Sequence, residues 1–283
     1  MFLVVGGTGT VGGEVLRLLV ERGERVRALV RDPFRASRLA RPGLELVQGD
    51  LARPGSLPAA LTGVRRVFLV TASGPETVPL QESMIAAAAA AGVERLVRVS
   101  VLGIGSGIPA GLFAWHGRVE ETLAASGIPS VNLRPTSYMQ NLLAQAEPIR
   151  RAGQFYGAQG DGRVAFVDAR DVAAAGVGAL TREDHVSGPV DLTGPEALSY
   201  ADVAAELAAG LGRPVAYVDA PAEAYRQGLL GAGLPEWLAA DLALIEDSGR
   251  GTVMPVSDGV ERLAGRPPRR LAEFIRDHRA LLA

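Results

Sequence analysis

Short, continuously apolar runs alternate along the first half of the chain with segments whose apolar residues recur at helical spacing. The pattern predicts strands at residues 2–5, 26–30, 44–47, 67–71, 96–100 and 130–134, with helices between them at 10–22, 77–91 and 117–125. Strands that alternate with helices of this length form a parallel sheet through right-handed crossovers. Runs such as Val67-Phe68-Leu69-Val70 suit a sheet covered on both faces. The predicted fold class is therefore a doubly wound α/β sheet.

A glycine-rich turn follows the first predicted strand directly and opens the first helix. Gly6, Gly9 and Gly12 stand in GxxGxxG spacing within the run Gly6-Gly7-Thr8-Gly9-Thr10-Val11-Gly12. In this context the first glycine permits a tight turn, the second lets backbone approach a pyrophosphate, and the third lets the helix pack closely. Free amides and the helix dipole then favour negative charge. The turn predicts a Rossmann-type dinucleotide site.

The second half of the chain is less regular and predicts a smaller α/β lobe. Residues 153–162 are rich in glycine and are expected to form a loop. Further helices are predicted at residues 169–180, 200–211, 235–246 and 269–282, and strands at 190–193 and 215–218. We expect a dinucleotide-binding domain at 1–155, completed by 163–193, and a substrate-facing C-terminal lobe at 194–283.

Composition narrows the classes of partner. The 283 residues are 48% hydrophobic and 21% charged, which suits a globular chain rather than a disordered one. The net charge of −2 gives no general attraction to nucleic acid or to an anionic membrane, so neither is expected as a partner. Cysteine is absent, and the three histidines, at 116, 185 and 278, fit no tight metal spacing. No metal is expected.

The start of the chain lacks the charged region of a targeting segment, and its apolar run is short. The alanine-rich stretch at residues 85–91 is also too short to cross a membrane. The sequence therefore predicts a cytoplasmic protein.

Two residues after the second predicted strand bear on the choice of cofactor. A carboxylate at this place would bind the ribose 2′-hydroxyl of NADH, whereas a guanidinium can pair with the 2′-phosphate of NADPH. Arg31 therefore favours NADPH. NADH remains the alternative, in which Arg31 is solvated and Asp32 takes the ribose hydroxyls.

The ends of the next two strands also face the expected cofactor. Asp50 can accept from the adenine amino group while Leu51 covers the ring, although Asp50 also suits a turn or an N-cap. Thr71, Ala72 and Ser73 are small, so their backbone can approach a ribose.

The chain contains no lysine, which excludes a Schiff base, a P-loop lysine and the Tyr-x-x-x-Lys pair of short-chain dehydrogenases. His116 and Glu120 stand at the corresponding place, four residues apart on one helical face. A histidine beside a carboxylate can act as a tuned proton donor. Alternatively, the pair only shapes the pocket wall, since hydride transfer to a quinone needs no strong general acid at the reacting carbon.

A series of motifs resembles the NmrA-like atypical short-chain dehydrogenase family, most closely its quinone oxidoreductase type 2 and azoreductase-like members. The resemblance covers essentially the whole chain. It is carried, in order, by Gly6 to Gly12, Val99-Ser100, His116-x-x-x-Glu120, Leu133-Arg134-Pro135, Tyr138-Met139-Gln140-Asn141, Val167-Asp168-Ala169-Arg170-Asp171-Val172-Ala173, Leu192-Thr193-Gly194-Pro195-Glu196 and Leu263-Ala264-Gly265-Arg266-Pro267-Pro268.

The resemblance implies a cofactor cleft between the carboxyl edge of the sheet and the C-terminal lobe. Tyr138 and Asn141 are implied at the nicotinamide end or the substrate, and Phe113 and Trp115 either line the same pocket or cover the core. An aromatic ring with a polar tip, such as Tyr138, can stack on a flat ring and hydrogen-bond it, or it can be a half-buried core tyrosine. The expected cofactor-binding residues are Gly6, Gly7, Thr8, Gly9, Thr10, Val11, Gly12, Arg31, Asp50, Leu51, Thr71, Ala72, Ser73 and Ser100.

Three acidic or basic residues before the alanine-rich helix are interpreted as structural. Asp168 and Asp171 suit the N-terminus of that helix, and Arg170 can bridge them.

The expected activity is NAD(P)H-dependent transfer of hydride to a quinone or conjugated carbonyl compound, without flavin and without the Tyr-x-x-x-Lys pair. One alternative is a non-catalytic NAD(P)-binding redox sensor of the NmrA type. The other is a tailoring reductase that acts on a ketone, imine or enone of a secondary metabolite. The expected partner is a small-molecule substrate, and the expected state is a monomer or a homodimer.

Overall fold

A computed structural model describes residues 1–182 and 186–283, so His185 lies outside the described residues. The strands are β1 (Phe2–Val5), β2 (Val26–Val30), β3 (Leu44–Gln48), β4 (Arg66–Leu69), β5 (Arg95–Val99), β6 (Ser130–Pro135), β7 (Gln154–Gly157), β8 (Arg163–Val164), β9 (Gly188–Leu192), β10 (Leu198–Ser199) and β11 (Ala216–Asp219). Seven of them form a parallel sheet in the order β3-β2-β1-β4-β5-β6-β9.

Helices connect these strands and cover both faces of the sheet. They are α1 (Thr10–Glu21), α2 (Leu57–Leu61), α3 (Thr77–Ala90), α4 (Gly111–Ala125), α5 (Asn141–Ala144), α6 (Ala146–Ala152), α7 (Ala169–Thr181), α8 (Tyr200–Leu211), α9 (Ala222–Gly231), α10 (Glu236–Ser248), α11 (Gly259–Ala264), α12 (Leu271–Asp277) and α13 (Arg279–Leu282).

The apolar runs form strands buried on both sides, as the sequence predicts. In β1, Leu3 and Val4 are fully buried and point to opposite faces. Val4 joins a core with Leu16 of α1, while Leu3 joins a second core with Met84 of α3. The predicted doubly wound α/β sheet is confirmed.

Three predicted elements differ from the structure. Residues 153–162 are not entirely loop, because β7 (Gln154–Gly157) pairs in parallel with β11. The helix predicted at 117–125 begins six residues earlier, at Gly111, and therefore carries His116 in its interior. The helix predicted at 269–282 is two helices, separated at His278.

The C-terminal region has its own apolar core, in which Phe155, Leu207 and Phe274 are fully buried. α7 and β9 pack with the central sheet, while α8 to α10 lie beyond it. The division at residues 155, 163 and 193 remains a prediction. Within residues 1–182 and 186–283, none of the helices has both the length and the hydrophobicity needed to span a bilayer.

Candidate active site

The glycine turn between β1 and α1 is held by close backbone contacts. Gly6 has a φ of +81°, and a Cβ there would lie 2.2 Å from the carbonyl oxygen of Val70. A Cβ on Gly12 would lie 2.3 Å from the carbonyl oxygen of Gly6. These distances are far below van der Waals contact, so both positions require the absence of a side chain.

The start of α1 is open to an anion. Gly9 is its exposed N-cap and supplies no capping side chain, and the first turn holds no acidic residue. The unpaired amides and the positive end of the helix dipole therefore face the cleft without an internal counter-charge. This cradle fits the pyrophosphate of a dinucleotide.

A single cleft of about 1930 Å³ runs along the carboxyl ends of the strands and under α10. Ligand sites for one drug-sized molecule are about 300–1,000 Å³, so this cleft has room for a dinucleotide and a second molecule. The predicted residues that line it are Gly6, Thr8, Gly9, Thr10, Val11, Gly12, Arg31, Asp50, Leu51, Thr71, Ala72, Ser73, Ser100, Phe113, His116, Tyr138 and Asn141.

Three predicted site residues lie elsewhere among the described residues. Gly7 is buried against Leu16 of α1 and does not line the cleft. Trp115 also lies outside the lining and contacts Trp237, with ring centroids 5.2 Å apart in an edge-to-face arrangement. Glu120 is turned toward β5 and β6 rather than the cleft.

The end of the cleft near β2 carries more positive charge than the sequence analysis anticipated. Arg31 is exposed and lines the cleft, and so do Arg35 and Arg38, which the sequence analysis missed. Asp32 Oδ1 accepts the backbone N–H groups of Phe34 (2.9 Å) and Arg35 (3.2 Å). The turn uses one oxygen of the Asp32 carboxylate, and Asp32 also lines the cleft, so the choice between Arg31 and Asp32 at the ribose remains a prediction. The sequence feature that could have predicted this positive charge is the occurrence of three arginines within eight residues.

Asp50 lies in a hydrogen-bonded turn at the edge of the cleft. It lines the cleft, and its carboxylate also accepts from the Ala52 N–H at 3.0 Å and the Arg53 guanidinium at 3.3 Å. The Ser56 hydroxyl accepts the Asp50 N–H at 2.9 Å. The turn is therefore internally bonded, and adenine recognition by Asp50 remains a prediction.

His116 and Glu120 do not pair with each other, so the geometry favours the alternative in which they only shape the wall of the pocket. The Glu120 carboxylate accepts from the Ser100 hydroxyl at 2.5 Å and makes a bidentate pair with Arg134 at 2.9 and 2.5 Å. Among the described side chains, His116 is bonded instead to Arg98 and Ser73. The two residues share a helical face, but Ser100, directly after β5, and Arg134 of β6 bind the carboxylate.

His116 is uncharged in this environment. It is buried beside the cleft, and its Nδ1 lies 2.7 Å from a guanidinium nitrogen of Arg98. Burial, together with the Arg98 charge, lowers the pKa of His116 to about 3. At neutral pH the ring is therefore a neutral imidazole and not an imidazolium acid.

Tyr138 lines the cleft with a protonated phenol. Its backbone forms an isolated parallel bridge with Val167, and its half-buried ring packs on the central core. Burial raises the pKa of Tyr138 above its ordinary value. The hydroxyl can therefore donate a hydrogen bond at neutral pH but does not ionise there.

α10 closes the cleft from the C-terminal lobe, a contribution that the sequence did not reveal. Asp241 accepts the Gly111 and Leu112 N–H groups at 3.0 and 2.7 Å and so caps α4. Leu242, Ile245 and Glu246 line the cleft on the next turns of α10. The position of α4, and hence of His116, is thereby tied to the C-terminal lobe.

Glu246 anchors α10 inside that lobe. Its Oε1 accepts from the hydroxyls of Tyr200 and Tyr225 at 3.0 and 3.1 Å, and its Oε2 accepts the Ala158 N–H at 2.6 Å. Burial raises the pKa of Glu246, although these hydrogen bonds favour the charged form. Three hydrogen bonds from separate elements hold the carboxylate, so Glu246 positions the wall of the cleft.

Asp168 and Asp171 lie at the start of α7 as interpreted, but Arg170 does not bridge them, because it pairs with Asp168 and Asp277. Asp168 is fully buried and caps α7 by accepting the Arg170 N–H at 2.8 Å. The Arg170 guanidinium binds the same carboxylate at 2.6 Å. Asp171, also buried, pairs with Arg266 and Arg269.

Known proteins share this fold and much of this sequence. The model of the NmrA-like family matches residues 1–271. An NAD(P)H azoreductase from Xenophilus azovorans is 42% identical over 281 residues, which are 99% of this chain and 98% of that protein. The NADPH-dependent quinone oxidoreductase 2 of Escherichia coli, solved with NADPH, superposes with a TM-score of 0.89 at 32% identity, covering 97% of this chain and 98% of that one.

A third similar protein is the triphenylmethane reductase of Citrobacter sp., solved with NADP(H). It superposes with a TM-score of 0.86 at 25% identity, covering 98% of this chain and 99% of that one.

Proposed function

Because this chain belongs to the NmrA-like family, we propose that it is an NAD(P)H-dependent oxidoreductase that transfers hydride directly to a flat acceptor. The acceptor classes are quinones, azo compounds and conjugated carbonyl compounds. The observation that carries this proposal is the cleft itself, which joins the glycine turn to an aromatic pocket and exceeds the volume of one small ligand. The similarity to named reductases of quinones and dyes supports it.

The residues present fit a nicotinamide dinucleotide. The amides that follow Gly9 would hold the pyrophosphate, and Arg31, with Arg35 and Arg38 nearby, would face a 2′-phosphate. When bound, the reduced nicotinamide supplies the hydride. We propose NADPH rather than NADH because three guanidinium groups line this end of the cleft beside the single carboxylate of Asp32.

The other end of the cleft would hold the acceptor. Leu112, Phe113, Leu242 and Ile245 present apolar or aromatic surface there, and the Tyr138 hydroxyl adds one hydrogen-bond donor. Apolar walls exclude water and favour flat, weakly polar molecules. Positioning of two bound molecules then supplies most of the rate, since no lysine is present to act with a tyrosine.

Neither flavin nor metal enters this proposal. A cytoplasmic location and a monomeric or homodimeric state remain predictions from the sequence.

The activity predicts rapid NADPH oxidation by at least one flat acceptor. The measurement is stopped-flow absorbance at 340 nm with quinones, azo dyes and enones, using purified protein without added flavin. We expect saturable turnover that is lost when the acceptor is omitted. Tight NADPH binding with no turnover on any member of the panel would contradict the reductase and would favour the redox sensor.

Arg31→Ala is expected to weaken NADPH and leave NADH nearly unaffected. Loss of hydrogen bonds to a charged group costs about 1.5–3 kcal/mol, which corresponds to about 10- to 150-fold in affinity. Binding can be followed by quenching of tryptophan fluorescence, because both tryptophans of the chain lie in the Trp115–Trp237 contact beside the cleft.

Arg25→Ala is the matched control, because Arg25 is exposed and lies outside the cleft lining. It should leave both affinities unchanged. Equal weakening of NADPH and NADH by Arg31→Ala would remove the assignment of Arg31 to the 2′-phosphate.

A further inference from the structure

Arg98 is a charged side chain buried completely inside the central sheet. It lies on β5 with no exposed surface. Its guanidinium donates to three uncharged groups, Gln81 Oε1 at 2.5 Å, Asn132 Oδ1 at 3.2 Å and His116 Nδ1 at 2.7 Å. Burial lowers the pKa of Arg98 to about 10, so it remains a cation at neutral pH. Burying a cation among neutral partners is costly, which calls for a reason beyond packing.

Arg98 begins a chain of hydrogen bonds that runs through His116 to Ser73 and has a fixed donor-to-acceptor direction. A guanidinium has only donors, so His116 Nδ1 must accept. The neutral ring therefore carries its hydrogen on Nε2, which lies 3.2 Å from the Ser73 hydroxyl oxygen. Ser73 accepts this bond, and its own hydrogen is left to be donated into the cleft that it lines.

A second chain runs through Gln81 with the same direction. Gln81 is buried, and its Oε1 accepts from Arg98. Its amide nitrogen therefore faces Thr71 and donates to that hydroxyl at 2.8 Å. Thr71 also lines the cleft and has its own hydrogen left to donate. One buried cation thus lies behind two hydroxyl groups at the end of β4.

We propose that Arg98 is a positioning residue that sets the direction of both chains, so that Thr71 and Ser73 donate into the cleft. These donors stabilise the negative charge that builds on the acceptor as hydride arrives. Donors held in place before the reaction cost no reorganisation when charge develops. The inference rests on the proposed reductase function and deepens it, because it selects acceptors whose heteroatom becomes anionic on reduction.

The direction of the chain can be measured without cofactor or acceptor. Long-range ¹H–¹⁵N spectra of protein labelled at its three histidines report which nitrogen of His116 is protonated; a His116→Gln variant assigns the signals. We expect Nε2 protonated and Nδ1 unprotonated from pH 8 to pH 5. Arg98→Met should give mixed tautomers. Ser73→Ala should keep the wild-type tautomer, because Arg98 and not Ser73 sets it. This variant therefore tests the proposal even if Arg98→Met does not fold.

Protonation of Nδ1 in the wild type, or a switch to that tautomer in Ser73→Ala, would overturn the proposed direction.

The role of the donors is measured by steady-state kinetics. Removing one donor of this kind lowers kcat by about 10- to 100-fold at an exposed position, somewhat less than for an enclosed oxyanion hole. We expect this loss for Ser73→Ala with the acceptor KM little changed, since the bond forms as charge develops. The combined loss for Ser73→Ala and Arg98→Met should be smaller than the product of the two single losses, because Arg98 acts partly through Ser73.

Ser83→Ala is the matched control. Ser83 lies on α3 two residues after Gln81, and its buried hydroxyl oxygen has no partner within the described part of the chain. It should retain wild-type kcat. A Ser73→Ala enzyme within twofold of wild-type kcat would overturn the catalytic role. Absence of turnover in the wild type would defeat that role together with the reductase, whereas the NMR result would still decide the direction of the chain.

Discussion

Gly12→Ala is expected to reduce NADPH affinity by about 30- to 150-fold. The new Cβ would lie 2.3 Å from the Gly6 carbonyl oxygen and 2.7 Å from its carbon. Both are backbone atoms, so the turn between β1 and α1 must open. Overpacking of this kind costs about 1–3 kcal/mol. The strain is borne by the turn in the form that binds NADPH, so the upper half of this energy range gives the stated loss of affinity. Isothermal titration with NADPH measures it.

Gly228→Ala provides the control for the same chemical change. Gly228 lies inside α9, and within the described residues an added Cβ there would meet nothing beyond its own helix backbone within 4 Å. This variant should bind NADPH normally and gain about 0.5–1 kcal/mol of stability from its better helix propensity. Wild-type NADPH affinity in Gly12→Ala would show that the turn does not hold the pyrophosphate.

Asp168→Ala is expected to lower the free energy of unfolding by about 3–5 kcal/mol, the usual cost of removing one member of a buried ion pair. The carboxylate is fully buried and accepts from Gln140 at 2.9 Å and from the backbone and side chain of Arg170. Its loss leaves the start of α7 uncapped and half of the Arg170 pairing absent. Urea unfolding at pH 7 measures the change.

Asp168→Asn separates the cap from the charge. An asparagine keeps an acceptor for the Arg170 N–H but loses the ion pair, so its destabilisation should be intermediate. Burial opposes ionisation of Asp168, yet bonds from Arg170 and Gln140 hold its pKa below the ordinary value. A lowered folded-state pKa contributes stability above the unfolded value of 3.8, and this contribution disappears as pH falls through the folded pKa.

The difference between the wild type and Asp168→Ala should therefore persist from pH 7 to about pH 5 and shrink only in stronger acid. Equal unfolding free energies at pH 7 would refute the assignment of Asp168 as the anchor of α7.

These tests address different levels of the same site. The variants at Gly12 and Arg31 test where the cofactor binds, and the variants at Asp168 test the stability of the scaffold behind the cleft. The variants at Ser73 and Arg98 test whether the negative charge on the acceptor is stabilised. A defect confined to kcat in the last pair, with cofactor affinity retained in the same variants, would separate charge stabilisation from binding.

The sequence by itself determined the sheet, the glycine turn and the family. Val67 to Leu69 are apolar without interruption, and such a run is buried on both sides wherever the chain places it. The turn is equally local, because its close contacts at Gly6 and Gly12 arise within a few residues and at the neighbouring Val70 carbonyl. Local features of this kind can be recognised from the sequence alone.

The tertiary structure alone decided the partners of His116. Helical spacing brings Glu120 to the same face, but Ser100 and Arg134, from other elements, bind that carboxylate. The Arg98 that contacts His116 lies in a strand, where a charged residue gives no sign of being buried.

The contacts that form the wall of the cleft also could not be predicted from the sequence. Asp241 caps α4 from a helix about 130 residues further along the chain, and β7 pairs with β11 across about 60 residues. Hydrogen bonds are directional and short, so which groups satisfy them depends on the packed arrangement of distant segments. Hydrophobic periodicity depends only on which face of an element is apolar, and therefore it can be read before folding is known.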